Sequence, residues 1–200
     1  MRNHGRMARN INCVAGIDPS LTGFAVCVMT SDGLFDTKRW STHYLGHRVD
    51  SRMDRMLPLV EEVMDYLDQW TPQIICIEGY AFGSNARGTM ERIELGGILR
   101  ADLHVSTSAV IHEVAPMTLK KFCTGSGKGD KTAMIAQITK KWRVEFEDSD
   151  RYDAYGLARL AMCLAGLSRP GTSAQRQAVD TVLRGPNPKK RRGAGNDRSH

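Results

Sequence analysis

I-N-C-V-A-G-I-D-P-S-L-T-G-F-A-V-C-V-M-T-S-D-G-L-F-D-T-K-R-W (residues 11–40) reads as three strands in succession. The first, I-N-C-V-A-G-I-D (11–18), is a short apolar run that ends on an acid. F-A-V-C-V-M-T (24–30) and L-F-D-T-K-R-W (34–40) follow, separated by S-D-G, and Gly33 supplies the turn of a hairpin.

The pattern then changes period. From Arg48 to Trp70 apolar residues recur at Met53, Met56, Leu57, Val60, Val63, Met64 and Leu67, the interval of one helix face, interrupted only by Pro58. I-I-C-I-E (74–78) is a continuous apolar run of strand length, as expected of a strand buried on both faces, and it too ends in a carboxylate. A loop, Y-A-F-G-S-N-A-R-G, comes next. Met90, Ile93, Ile98 and Leu103 suggest a second helix, A-V-I-H-E-V (109–114) another strand, and residues 131–142 and 150–167 two more helices. Strands alternating with helices imply an α/β fold with a mixed five-stranded sheet flanked by helices, since parallel neighbours need crossover connections.

The chain's 200 residues suit one domain. Apolar residues make up 41%, no uncharged run reaches membrane-spanning length, and Met1 is followed by Arg and Asn rather than a signal core. A soluble, unexported, cytoplasmic protein is expected. Cys13, Cys27, Cys76, Cys123 and Cys163 form an odd set with no C-x-x-C pair, which points to reduced thiols packed as small hydrophobes rather than to zinc or a catalytic thiol.

The net charge of +6 is unevenly placed. Residues 1–10 carry three Arg and no acid, and residues 184–200 carry six Lys and Arg against one Asp, so residues 11–183 sum to 6 − 3 − 5 = −2. The expected organisation is a basic N-terminal extension (1–10), one domain (11–168) and a basic, disordered C-terminal tail (169–200). Such a tail would hold a polyanion by counterion release, nucleic acid being the natural one, or would merely solubilise the chain.

Chemistry enters through acids at element ends. Asp18 ends the first strand, Glu78 ends the central one, and Asp150 with Asp153 opens the last helix at an i, i+3 spacing that puts both carboxylates on one face. Asp148, five residues before Asp153, would point away and reads as a solvated or capping residue. Four acids meeting at one sheet edge repel one another unless cations intervene, and hard divalent ions are the usual answer. Magnesium fits an all-oxygen ligand set, and two ions serve phosphodiester hydrolysis. Each acid alone also has a plainer reading: Asp18 as a turn or cap residue, Glu78 as surface, Asp150 as a helix-dipole partner.

G-I-D-P-S-L-T-G, I-E-G-Y-A-F-G, L-G-G-I-L-R, G-K-G-D-K-T-A and D-S-D-R-Y-D-A-Y-G-L-A, in this order over about residues 12–166, resemble RuvC-type Holliday junction resolvases of the RNase H-like superfamily. The resemblance implies a Mg²⁺-dependent endonuclease, with Mn²⁺ as a substitute and two ions per site, that cuts four-way DNA junctions as a homodimer. It places the metal-binding carboxylates on Asp18, Glu78, Asp150 and Asp153. Its essential lysines fall on Lys120, with Lys121 as an alternative, and on Lys131, with Lys128 as an alternative. The helix carrying Leu95, Gly96, Gly97 and Arg100 is expected at the dimer interface. The family's base-stacking aromatic falls on Ala81, leaving Tyr80 or Phe82 to serve. Further DNA contacts are expected from Asn85, Arg87, Lys121, Lys128, Lys189, Lys190, Arg191 and Arg192. The divergent motifs suggest a bacteriophage origin. A sugar-kinase-like ATPase would need a second phosphate loop and a longer chain; a broader branched-DNA or flap endonuclease and a non-catalytic junction binder are the other readings.

Overall fold

A computed structural model describes residues 11–80, 86–128 and 130–185, with residues 86–89 as backbone alone. β1 (Cys13–Asp18), β2 (Phe24–Thr30) and β3 (Phe35–Trp40) form an antiparallel meander, and Gly33, at φ +90°, makes the turn between the second and third strands. α1 (Val49–Trp70) then crosses to β4 (Ile74–Glu78), which lies parallel to β1, and α2 (Ala86–Ser106) crosses to β5 (Val110–Val114), parallel to β4. The sheet order is β3-β2-β1-β4-β5. α3 (Pro116–Thr124), α4 (Lys131–Trp142), α5 (Ser149–Leu164) and α6 (Ser173–Arg184) complete the chain.

β1 and β4 carry apolar side chains on both faces because the sheet is covered on both. Cys13, Ala15, Ile17, Ile75 and Ile77 pack under α1 and α2 with Met56, Val63, Leu95, Leu99 and Leu103. Val14, Cys27, Ile74 and Cys76 face α5, whose buried surface is small: Ala154, Ala158 and Ala161 beside Leu157. Gly16 has no side chain for a steric reason. A β-carbon there would collide with the Ala154 carbonyl and the Ala158 amide, so α5 lies almost directly on the first strand. That contact sets the distance between the strand end and the helix start.

α1 spans the expected residues and continues through Pro58, which is exposed. α2 departs from expectation in its buried face. Leu95, Leu99 and Leu103 are buried, whereas Met90 and Ile93 are 62% and 40% exposed. The glycines at 96 and 97 blur the apolar stripe from which the face was read.

Two helices lie where none was expected. α3 begins with Pro116 in its first turn and stops at Gly125 in the left-handed region, both ordinary helix punctuation. α6 corrects the boundary at 168/169. Thr172 caps it by accepting the Gln175 amide, Gln175 and Ala178 are buried, and Val179 and Val182 pack against the core, so folded structure runs to residue 185. The basic extensions themselves lie outside the described residues.

Four cysteines are buried and Cys163 is half-buried, all as free thiols. Burial raises the pKa of Cys27, Cys76 and Cys123 far above that of an ordinary thiol.

Candidate active site

Successive residues of a strand face opposite sides, so the face is set by parity. Val14, Gly16 and Asp18 share one side of β1, and Ile74, Cys76 and Glu78 share the same side of β4, since Val14, Ile74 and Cys76 all contact the α5 layer. Gly16 pairs with Cys76 and Ile17 with Ile77, leaving Asp18 and Glu78 side by side at the strand ends, beneath α5.

The start of α5 is fixed by Asp148. Its side chain caps the helix by accepting the Arg151 amide at 3.0 Å and also pairs with the Arg151 guanidinium at 2.9 Å. Asp150 follows in the first turn and Asp153 just beyond it, over the strand ends.

Electrostatics show that the four acids form one group. Asp18 is 8% exposed, and burial pushes its carboxyl well above the usual range; the charges of Glu78, Asp153 and Asp150 add to the effect. A hydrogen bond joins Asp18 to Glu78. Glu78 is raised by burial and by Asp153, and Asp153 chiefly by burial.

Two cations face Asp150. Lys131 Nζ lies 3.3 Å from Asp150 Oδ1 and 3.3 Å from Asp153 Oδ2; burial disfavours its charge, but the two carboxylates outweigh this and raise its pKa. From β3, Arg39 Nε reaches Asp150 Oδ2 at 3.0 Å, and its Nη2 donates to the Thr22 carbonyl at 2.8 Å. Gly23 makes room, because a β-carbon there would strike the Asp150 carboxylate. Among the described residues no three acidic, histidine or cysteine side chains are drawn into a ligating cage. Lys131 spans one pair of carboxylates, and the Asp18–Glu78 hydrogen bond joins the other. The donor set is nevertheless hard oxygen with excess negative charge, which suits magnesium-like ions.

Of the paired lysine alternatives, Lys131 sits in the cluster, while Lys128 is exposed at the loop before α4. On α3, Lys120 is the lysine whose charge favours ionised Asp153; Lys121 is half-buried on the same helix. Tyr80 is not free to swing outward. Arg100 stacks on its ring at 4.5 Å, the Tyr80 hydroxyl donates to the Ile93 carbonyl at 3.3 Å, and Gly96 leaves space for that hydroxyl. Phe82, Asn85, Lys189, Lys190, Arg191 and Arg192 lie outside the described residues, as does the side chain of Arg87.

One site residue had escaped the reading of the sequence, and another had been read for a different role. Arg39 lies in a strand whose exposed charges look like ordinary edge decoration, and only the sheet's order brings it to Asp150. Arg100 was expected at a subunit interface, yet its guanidinium turns inward, donating to the Glu78 carbonyl at 3.2 Å and pairing with Glu113 at 3.4 Å. Leu95 and Gly96 are likewise buried, and of those four residues Gly97 alone is exposed.

The profile of the family described as "Crossover junction endodeoxyribonuclease RuvC" matches residues 14–161. A protein of that description from Chlorobium phaeobacteroides is 27% identical over 176 residues, 86% of this chain and 90% of its own length. One from Mycobacterium sp. (strain KMS) is 24% identical over 151 residues, 75% of this chain and 80% of its own. Among solved structures, Thermus thermophilus RuvC in complex with a Holliday junction substrate aligns with a TM-score of 0.59 at 16% identity, over 74% of this chain and 90% of its own. The yeast mitochondrial Holliday junction resolvase Ydc2 aligns with a TM-score of 0.52 at 16% identity, over 85% and 81%. Identities this low show a common fold. Because the family match runs from β1 into α5, and so takes in Asp18, Glu78, Asp150 and Asp153, the chain belongs to the RuvC family of crossover junction endodeoxyribonucleases.

Proposed function

We propose that the chain resolves four-way DNA junctions by divalent-metal-dependent phosphodiester hydrolysis, with Asp18, Glu78, Asp150 and Asp153 as the metal-binding carboxylates. The observation that carries this reading is the buried Asp18 and the half-buried Glu78 set against two more acids, an arrangement that is unfavourable until cations neutralise it. Mg²⁺ is the expected ion, two per site, with Mn²⁺ able to substitute. When bound, such ions activate the attacking water and stabilise the leaving 3′ oxygen.

The remaining groups hold these acids and the substrate. Arg39 fixes the orientation of Asp150, and Arg100 fixes the backbone at Glu78. Lys131 and Lys120 place positive charge beside the carboxylates, where a scissile phosphate needs it. With Tyr80 held by Arg100, Phe82 is the aromatic left to stack on a junction base. The basic extensions, including Lys189, Lys190, Arg191 and Arg192, add phosphate contacts without sequence information.

A homodimer places two such sites on a two-fold symmetric substrate. Its contact surface is assigned to the outward side of α2, where Met90, Ile93, Gly97 and Val105 are exposed at helical spacing. The test is cleavage of a synthetic four-way junction beside flap, duplex and single-stranded DNA, with and without Mg²⁺. Metal-dependent, symmetric cutting of the junction is expected; equal cutting of flaps would make the chain a general branched-DNA nuclease.

A further inference from the structure

α6 closes a cavity on the α5 side of the sheet, separate from the carboxylates. It measures about 150 Å³ and lies among α3, α4, α5 and α6, lined by Lys141, Arg159, Arg169, Ser168, Gln175 and Trp142 among others. Arg159 lies six residues beyond Asp153 on α5, about 9 Å along the axis, and Cys163 lies about 15 Å along.

Its charge is one-sided. Three cationic side chains line it and no acidic one does. Among the described residues neither Lys141 nor Arg159 takes part in an ion pair. Both instead rest against the Trp142 ring, at 4.8 and 5.4 Å, and Arg159 Nη1 also touches Met29 Sδ at 3.9 Å. Burial disfavours the charged form of Lys141, and Arg159 adds repulsion. Arg159 is half-buried, while Lys141 and Arg169 reach the exposed rim; the three cations share one cavity without an acid, and an anion between them relieves their mutual repulsion. Gln175, 4% exposed, uses its carboxamide oxygen to accept the Gly171 amide, which leaves its NH₂ as a donor. Ser168 adds a hydroxyl.

We propose that this cavity is a phosphate-binding site, formed by Lys141, Arg159 and Arg169 and completed by Gln175 of α6. Pockets for drug-sized ligands measure roughly 300 Å³ or more, so the space suits a single tetrahedral oxyanion better than a larger ligand. The phosphate comes either from the backbone of a bound DNA arm or from free phosphate in solution. The site does not depend on the cleavage reading, and its failure would leave that reading intact.

The test uses the full chain, with inorganic phosphate as the probe. Phosphate at 20 mM should raise the thermal midpoint by about 3 °C over chloride of equal ionic strength. Lys141→Gln and Arg169→Gln, each checked for native circular dichroism, should each remove at least half of that shift, whereas Lys131→Gln at the carboxylate cluster should leave it in place. A companion titration of a four-way junction against salt identifies the source. A slope reduced by about 1 to 2 in the double variant makes the ligand a DNA phosphate, and an unchanged slope with the phosphate shift lost makes it free phosphate. The site is overturned if phosphate gives no shift, or if the shift survives both cavity variants and disappears in Lys131→Gln.

Discussion

Arg39 and Asp150 are joined by a 3.0 Å hydrogen bond that ties the edge strand β3 to the first turn of α5. The same guanidinium holds the Thr22 carbonyl in the turn after Asp18, so one side chain links both ends of the carboxylate cluster. Arg39→Gln removes this tie and one positive charge. Cleavage at saturating metal should fall about tenfold, the lower end of what outer-shell losses cost. Arg39→Lys should recover part of it, and the thermal midpoint should barely move because the pair is partly exposed. Unchanged turnover in Arg39→Gln would show that Asp150 needs no such support.

Asp18→Asn should separate stability from activity. A carboxyl whose folded pKa is raised destabilises the folded state increasingly as pH rises from the unfolded value, about 4, through the folded value, and it costs nothing below both. Without metal, wild-type protein should therefore gain stability on acidification from pH 7 towards 5. The Asn variant should be more stable than wild type at pH 7 by about 0.5–2 kcal/mol and less sensitive to pH over that range. Its cleavage should fall by at least about a thousandfold while junction affinity persists, as single-turnover rates and binding titrations would reveal.

Asp148 and Asp150 are two residues apart and have different work. Asp148→Asn retains a capping oxygen and should keep most of the metal-dependent rate, whereas Asp148→Ala should lose about 1 kcal/mol of stability. Asp150→Asn should lose most of the rate with little change in stability. Reversed activities on the same junction would move the metal site to Asp148.

Truncation should distinguish α6 from the basic stretch beyond it. Removing residues 186–200 should leave the thermal midpoint unchanged, weaken junction binding and flatten its salt dependence. Removing residues 171–200 uncovers α3 and α5 and should cost about 2–4 kcal/mol, because Gln175, Ala178, Val179 and Val182 leave the core. Equal stability of the two truncated chains would contradict the packing of α6.

The order of elements was legible because each strand of the central pair is a short apolar run ending in an acid, and because α1 and α4 keep a clear 3.6-residue period. That Asp18 and Glu78 end their strands was legible, but that they share one face follows only from the parallel register of β1 and β4. Arg39 was not legible: its role depends on β3 lying two strands from β1 while its side chain reaches the start of α5. α6 was hidden by composition, since its polar face of Gln and Arg resembles the basic stretch beyond it, and its apolar contacts at Ala178, Val179 and Val182 are few. The inward turn of Arg100 was masked by neighbouring glycines that resemble a helix-contact motif, although Gly96 in fact accommodates Tyr80.

The seclusion of the thiols opens a route to spectroscopy. Maleimides react with thiolates, and Cys27, Cys76 and Cys123 are both buried and held in the thiol form at neutral pH. A cysteine introduced at the exposed Gln137 of α4 would outcompete them without any native cysteine being replaced. With Cys163, half-buried and also raised in pKa by burial, as the slower competitor, a fluorophore or spin label could be placed on an otherwise unaltered chain to follow the arms of a junction as they open.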